Sequence, residues 1–412
     1  MRRKNHHGVD HHLMRDMNEI AVLLAIINEG MVSRREITAY THLTDSTVSH
    51  VTRKLLNQNL LEEVDVPQER RGRPEKLLLL RPQAARLLSL VLEVDHFEIG
   101  LVDLAGRLSD HQVYPLPRDA DPMAVLPIIT ERLSSLLDSQ PDPVWGLGVS
   151  VPGVVDANGV LVSSPNLHWA DVPLQEMFEE AMGIPVMVAN EADAAALGEY
   201  YFGTGKGSAL LIYLSLGVGI GCGIVMEGHL FTGVSGAAGE VGHTTLMLDG
   251  PTCTCGRRGC FEVLASTRAL VEAAQSYPEA EPGLTSQEII ARSLEGERWA
   301  LQAVHNIADY VGQASVNLVN LFDPDRLILG GPLAQAGNYL LWPVERRVEN
   351  EVISRSNRQL SIQISTFHGQ STIIGSGACV LERVLQDSSL GLRVINVNEA
   401  VAADEVPPVN HQ

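Results

Sequence analysis

The feature that most restricts this chain is the run Glu240-Val241-Gly242-His243, followed shortly by Cys253-Thr254-Cys255 and Gly259-Cys260-Phe261-Glu262. Three of the five cysteines crowd together beside Gly250, Pro251 and Gly256, in a segment too polar and glycine-rich for a core strand or helix. Thiolates and one imidazole are the donors that tetrahedral zinc prefers, and this single loop supplies four of them: His243, Cys253, Cys255 and Cys260. A closed Cys3His site is a structural Zn2+ site and leaves no open position for metal catalysis. The competing reading of the spacing is three buried or disulfide-linked cysteines. Glu240 and Glu262 bracket the loop, and a rigid loop presenting two carboxylates and an imidazole suits the hydroxyls of a small polyol.

At 412 residues the chain is too long for one compact domain. No apolar run is long enough to span a bilayer, and the N-terminus lacks the apolar stretch of a secretory signal, so no membrane insertion is expected. Three cysteines wanted as thiolates fit a reducing cytoplasm. The formal net charge of -20 argues against a polyanionic partner, yet the charge is uneven. Residues 1–86 carry 14 Lys+Arg against 11 Asp+Glu, leaving 16 against 39 for the remainder. A basic end on an acidic body is the footprint of a small nucleic-acid-binding module attached to something that avoids nucleic acid.

Residues 17–28 repeat apolar positions at helical spacing (Ile20, Leu23, Leu24, Ile27) and stop at Gly30. Ser33-Arg34-Arg35-Glu36 is a capping box opening a short second helix. A third, capped by Thr44 or Asp45, buries Val48, Val51, Leu55 and Leu56 and leaves Ser46, Thr47, His50, Arg53 and Lys54 on other faces. Residues 60–66 and 76–80 read as strands flanking Glu69-Arg70-Arg71-Gly72-Arg73-Pro74, a cationic, extended tip suited to a narrow minor groove. This is a winged helix-turn-helix, residues 1–82, with Thr47 and His50 for base edges, Arg53 and Lys54 for phosphates, and Arg70, Arg71 and Arg73 at the wing. The His6, His7, His11, His12 group reads as a disordered solvated arm.

From about residue 87 the pattern turns α/β: a strand pair turning at Asp95-His96, strands at 108–115 and 144–151, and a helix over 122–139 between them. A strand at 186–189 runs into a helix through Asn190-Glu191-Ala192-Asp193, and strands at 209–216 and 220–224 flank a glycine turn. Helices follow at 266–276, 286–295 and 299–321, strands at 326–329 and 362–366, and a closing helix at 375–385. The layout suggests a duplicated β-β-β-α-β-α unit: a smaller lobe over 83–190, to which helix 375–386 is a candidate to return, a larger lobe with the zinc loop over 191–374, and a loosely held tail over 387–412.

The winged helix, Gly148-Val149-Ser150-Val151-Pro152-Gly153, the segment 190–199, Glu240-Val241-Gly242-His243 and the Cys-x-Cys-Gly-x-x-Gly-Cys-x-Glu loop together resemble the ROK family. That family joins sugar-responsive repressors to bacterial glucokinases and fructokinases. The resemblance implies a two-lobed actin-like ATPase fold with a sugar in the cleft, contacted by Asn166, Asn190, Glu191, Glu240, His243 and Glu262. It implies the zinc ligands already named, with His243 serving metal and sugar through its two ring nitrogens.

The kinases of the family open with Asp-x-Gly-Gly-Thr, whose glycines admit nucleotide phosphates to the backbone N–H groups. The matching stretch here is Asp95-His96-Phe97-Glu98-Ile99, where Glu98 would repel phosphate. The family's catalytic Asp is replaced by Glu191, and a displacement of about 1 Å can lower a rate by about 10²-fold. The expectation is therefore a non-enzyme: a sugar- or sugar-phosphate-responsive transcriptional regulator, a repressor, binding a double-stranded DNA operator as a homodimer or homotetramer. The alternatives are an active sugar kinase with an appended DNA-binding module, and a metal or thiol sensor switched at the cysteine loop.

Overall fold

The structure is a computed structural model and describes residues 11–66, 75–117, 120–353 and 359–386, with the side chains of 11–16, 66 and 75 left aside. The wing-tip arginines Arg70, Arg71 and Arg73, with His6, His7 and the tail 387–412, lie outside the described residues.

The N-terminal module is built from α1 (His11–Glu29), β1 (Val32–Ser33), α2 (Arg34–Thr41), α3 (Asp45–Asn57), β2 (Leu61–Val66) and β3 (Glu75–Leu80). The first helix begins earlier than its apolar spacing suggests, so His11 and His12 belong to its first turn rather than to a disordered arm. The capping box forms as expected: the Ser33 hydroxyl accepts from the Glu36 N–H, and Glu36 accepts from the Ser33 N–H at 2.8 Å. Thr44, not Asp45, caps α3. The β2–β3 pair is antiparallel, and β1 extends it on the far side of β3.

The body holds two five-stranded sheets. The first comprises β4 (Arg86–Leu92), β5 (His96–Asp103), β6 (Leu108–Pro115), β7 (Val144–Val151) and, after α4 (Pro122–Asp138) and an excursion, β11 (Val186–Asn190). The excursion carries β8 (Val154–Val155), β9 (Leu161–Ser164), β10 (Trp169–Val172) and α5 (Leu174–Met182). Helix α6 (Glu191–Tyr201) then leads to the second sheet of β12 (Leu210–Leu216), β13 (Ile220–Met226), β14 (His229–Leu230), β15 (Arg326–Gly330) and β16 (Ser361–Ile364). Between β14 and β15 come α7 (Phe261–Ala265), α8 (Thr267–Ala274), α9 (Ser286–Leu294) and α10 (Arg298–Phe322); α11 (Asn338–Glu351) joins β15 to β16, and α12 (Ser371–Gln386) closes the fold.

The duplication is explicit in the pairing. In each sheet the first strand is antiparallel to the second and the second to the third, while the first is parallel to the fourth and the fourth to the fifth. Parallel pairs need helical crossovers, and these cover the sheets and bury their apolar faces. The tip between β4 and β5 is Glu93-Val94-Asp95 rather than Asp95-His96, because His96 already belongs to β5 and pairs with Pro115 of β6. Phe97 and Ile99 of that strand are core residues.

Helix α12 lies on β4, β5, β7 and β11 and crosses α6, while α6 packs in turn on β12 and β13. One apolar core runs from Val22, Leu23 and Ile26 of α1 through Leu87 to Cys379, Leu381 and Leu385 of α12. The N-terminal module and the body are thus joined by buried apolar packing as well as by chain connectivity. Among the described residues, no helix is long and apolar enough to cross a membrane.

Candidate functional site: a carboxylate-lined cleft beside a four-donor loop

The cysteine loop is held in shape by its own backbone. Cys253 N–H donates to the Arg257 carbonyl at 2.7 Å, Gly259 N–H to Pro251 at 2.8 Å, and Arg258 Nε to the Gly250 carbonyl at 3.0 Å. Two glycines are required by close approach. A β-carbon at Gly259, whose φ is +65°, would stand 1.6 Å from the Met247 carbonyl oxygen, and one at Gly242 would stand 2.3 Å from that of Ile220. Gly242 therefore lets the short 3-10 turn Val241–His243 lie flush against β13 and aims His243 at the cysteines.

The donor atoms of His243, Cys253, Cys255 and Cys260 all lie within 4.8 Å of one another. His243 Nδ1 is 3.7 Å from Cys253 Sγ, and Cys255 Sγ is 3.7 Å from Cys260 Sγ. Metal–sulfur bonds of about 2.3 Å and metal–nitrogen bonds of about 2.0–2.1 Å in a tetrahedron require edges of about 3.5–3.8 Å, which these two separations match. All five cysteines are free, which removes the disulfide reading. Burial pushes the Cys260 thiol up to about 12, while the Arg257 backbone N–H draws Cys255 down to about 6. A group of four such donors can hold a metal ion.

The expected sugar-contacting residues Asn166, Asn190, Glu191, Glu240, His243 and Glu262 all line one cavity of about 580 Å3. They reach it from both halves of the body. Asn166 stands on the β9–β10 hairpin, Asn190 and Glu191 at the start of α6, Glu240 and His243 on the loop after β14, and Glu262 on α7. Asn190 caps α6 through its Oδ1, which accepts the Ala192 N–H at 2.8 Å, while its Nδ2 donates to the Gly153 carbonyl at 2.7 Å. Glu262 accepts the Ile220 N–H at 3.3 Å. Burial and the nearby Glu262 carboxylate raise the Glu191 carboxyl above its ordinary range.

Three acidic groups escaped the sequence reading. Asp193 also lines the cavity, and burial together with Glu382 and Glu240 pushes it up to about 8. Glu382, half-buried on α12, accepts the Leu230 N–H at 3.0 Å, and desolvation raises its carboxyl above the ordinary range. Glu93, at the tip where a phosphate loop was sought in residues 95–99, is raised to about 7 by burial and by Glu191. The available signals were local: Asp193 and Glu191 are two apart, and Glu93 follows a run of buried apolar residues.

In the N-terminal module, Ser46, His50 and Arg53 are exposed along α3, and Thr47 is half-buried with its hydroxyl 2.9 Å from that of Thr44. Lys54 is engaged elsewhere: its Nζ lies 2.7 Å from a carboxylate oxygen of Glu19, which is buried on α1.

Comparison with known proteins identifies the family. The ROK family profile matches residues 88–383. The xylose repressor of Bacillus spizizenii is 30% identical over 379 residues, covering 91% of this chain and 98% of that protein. A crystal structure of a ROK family transcriptional regulator, a homologue of the Escherichia coli Mlc protein, superposes with a TM-score of 0.78 at 26% identity, covering 93% of this chain and 99% of that one. A ROK family glucokinase from Streptomyces griseus, in complex with glucose and AMPPNP, superposes at 0.64 with 28% identity, covering 71% of this chain and 98% of its own. The extent of the profile match, together with repressor relatives that span module and body alike, places the chain in the ROK family.

Proposed function

We propose that this chain is a sugar-responsive DNA-binding repressor, in which a kinase-like cleft senses its effector and a winged helix-turn-helix reads the operator. The observation that carries the reading is the convergence of six polyol-matching side chains on one cavity, one of them the same His243 whose Nδ1 faces the cysteine sulfurs. With Nδ1 on a metal, Nε2 carries the proton and points a fixed donor at a hydroxyl. The site fits Zn2+, which would supply rigidity rather than chemistry. Repressor relatives that match the N-terminal module as well as the body support the regulatory role.

DNA contact falls to the exposed face of α3, with Ser46, Thr47 and His50 toward base edges and Arg53 toward phosphate, joined by Arg70, Arg71 and Arg73. A dimer would present two such faces to half-sites about one helical turn apart. Sugar binding alters that spacing only by as much as it favours one arrangement of the lobes over the other. The route available is physical: α6 starts in the cleft, packs on α12, and α12 contacts α1.

Kinase activity is the second reading, favoured by Glu191, whose carboxylate stands at the family's catalytic position. Against it, the β4–β5 hairpin carries Glu93, Asp95 and Glu98 in and around the stretch that aligns with the kinases' phosphate loop, where acidic side chains would repel a phosphate rather than cradle it. The test is a thermal-shift screen against common sugars, since a ligand of the folded state raises the melting temperature, combined with an assay for ATP turnover. The proposal expects a shift, its loss in Glu240→Ala, and no turnover; steady turnover would sink it.

A further inference from the structure

Two helices join the halves of the body, and each is seated on a different half. Helix α12 lies on the first sheet, where a β-carbon at Gly148 of β7 would stand 1.7 Å from the Ser376 carbonyl oxygen. Helix α6 lies on the second, where a β-carbon at Gly223 of β13 would stand 2.3 Å from the Ala192 carbonyl oxygen. Backbone pressed on backbone fixes each helix to its own sheet.

Between the helices, backbone and small side chains make the contact. A β-carbon at Gly198 of α6 would stand 3.0 Å from the Gly375 Cα of α12. Helices that touch through small residues can turn about their crossing point, because no interlocked ridges of side chains resist it. At the mouth of the cleft the halves meet again, where a β-carbon at Gly236 would stand 2.0 Å from the Val155 carbonyl oxygen. Parting that rim turns the halves about the α6–α12 crossing.

The reading module is tied to the first half by a short, braced link. Arg81 N–H donates to the Leu60 carbonyl at 2.9 Å on the module side, and Leu104 N–H donates to the Pro82 carbonyl at 3.0 Å on the side of the first sheet. Pro82 opens a 3-10 turn with its φ fixed by the ring, and Ala85 is fully buried in the core that joins α1 to α12.

We infer that the reading module, the first sheet and α12 turn as one rigid unit against the second sheet and α6, with the α6–α12 crossing as the pivot. The regulatory use of this motion rests on the reading of the cleft as the effector site, whereas the rigid unit does not. Asn166 lines the cavity from the first unit and Glu240, His243 and Glu262 from the second, so an occupant biases the angle between them. Such a turn leaves each reading module unchanged on its own half-site. It alters the distance to the module of a second copy, and does so only where that copy is held by the second unit.

Hydrogen exchange of the full-length protein in rising urea tests the rigid unit without any ligand. Peptides from α1, β4 and α12 are expected to lose protection at the same urea concentration, and α1 opening well before β4 and α12 would overturn the inference. A second arm measures DNA binding with and without each of a panel of neutral aldoses, on an operator selected from random DNA and on the same duplex cut to one half-site. Where a sugar weakens the full operator by about 10-fold or more, the single half-site should change by less than about 2-fold. Equal weakening of both would overturn the inference, because the effector would then act on the module itself. If no sugar changes either duplex, the effector reading falls, and the exchange result still decides the rigid unit.

Discussion

Gly375 on α12 meets Ala194 on α6 so closely that a β-carbon at position 375 would stand 2.0 Å from the Ala194 carbonyl oxygen. No side chain fits there without parting the helices. Since α6 begins with the cleft residue Glu191 and α12 touches α1, the crossing joins the candidate effector site to the reading module. Gly375→Val is expected to cost about 3 kcal/mol, the upper range for overpacking, and to lower the melting temperature. Gly375→Ala should show the same defect in smaller measure. A valine variant melting with the wild type would show that the helices are not locked at this point.

Removing the metal should damage sensing before it damages folding of the whole chain. Cys253 and Cys260 are buried beside the turn that carries His243 and Glu240. Elemental analysis is expected to find one zinc per chain, lost in Cys260→Ser. Chelation should abolish the sugar-induced thermal shift, because the loop would no longer fix His243 and Glu240. A metal-free protein that still binds sugar with wild-type affinity would separate the two sites.

Stability should fall as pH rises from mildly acidic to mildly alkaline. Asp193 is held protonated up to about 8 by burial with Glu382 and Glu240 nearby, and Glu93 up to about 7 by burial and Glu191. Both ordinarily ionise near 4, so between those values the folded chain holds more protons than the unfolded one. Their contribution is fullest below about pH 4 and drains away up to about pH 8, by at most about 1.4 kcal/mol per pH unit for each group. Asp193→Asn should flatten the slope of urea midpoints between pH 5 and 9 and gain most over wild type at the alkaline end. An unchanged slope would mean that Asp193 ionises normally.

Two neighbouring cations on α3 should behave differently. Lys54 neutralises Glu19, whose side chain is only 1% exposed, so Lys54→Ala takes a charge-assisted partner from a buried carboxylate and should cost the module roughly 1.5–3 kcal/mol. Arg53 is exposed, so Arg53→Ala should leave stability within about 0.5 kcal/mol. It should weaken DNA binding about equally for all sequences and reduce the salt slope by about one. Melting curves and binding isotherms at several salt concentrations separate the two.

The parts of this molecule that were legible in the sequence are those with local causes. Ser33 and Glu36 announce a helix start because they satisfy each other's backbone, and the cysteine spacing announces a donor set because one loop contains it. Helix α11 was not foreseen: Pro343 in its interior reads locally as a breaker, while burial of Leu340, Val344 and Val348 holds the helix in place. The excursion β8–β10 uses strands too short for an alternating pattern to emerge. The pairing of Lys54 with Glu19 was not legible, because Glu19 lies 35 positions away on α1, a separation that no local pattern reports. Glu382 escaped for the same reason, since its surroundings are set by segments brought close only by folding.

The most direct test follows the anisotropy of a labelled operator, selected from random DNA with the purified protein, as the sugar that raises its melting temperature is titrated in. The operator should be released, and Glu240→Gln should raise the half-effective sugar concentration by about the same factor as its calorimetric dissociation constant, as linkage requires. An operator that stays bound at saturating sugar, or a release unchanged by Glu240→Gln, would contradict the account.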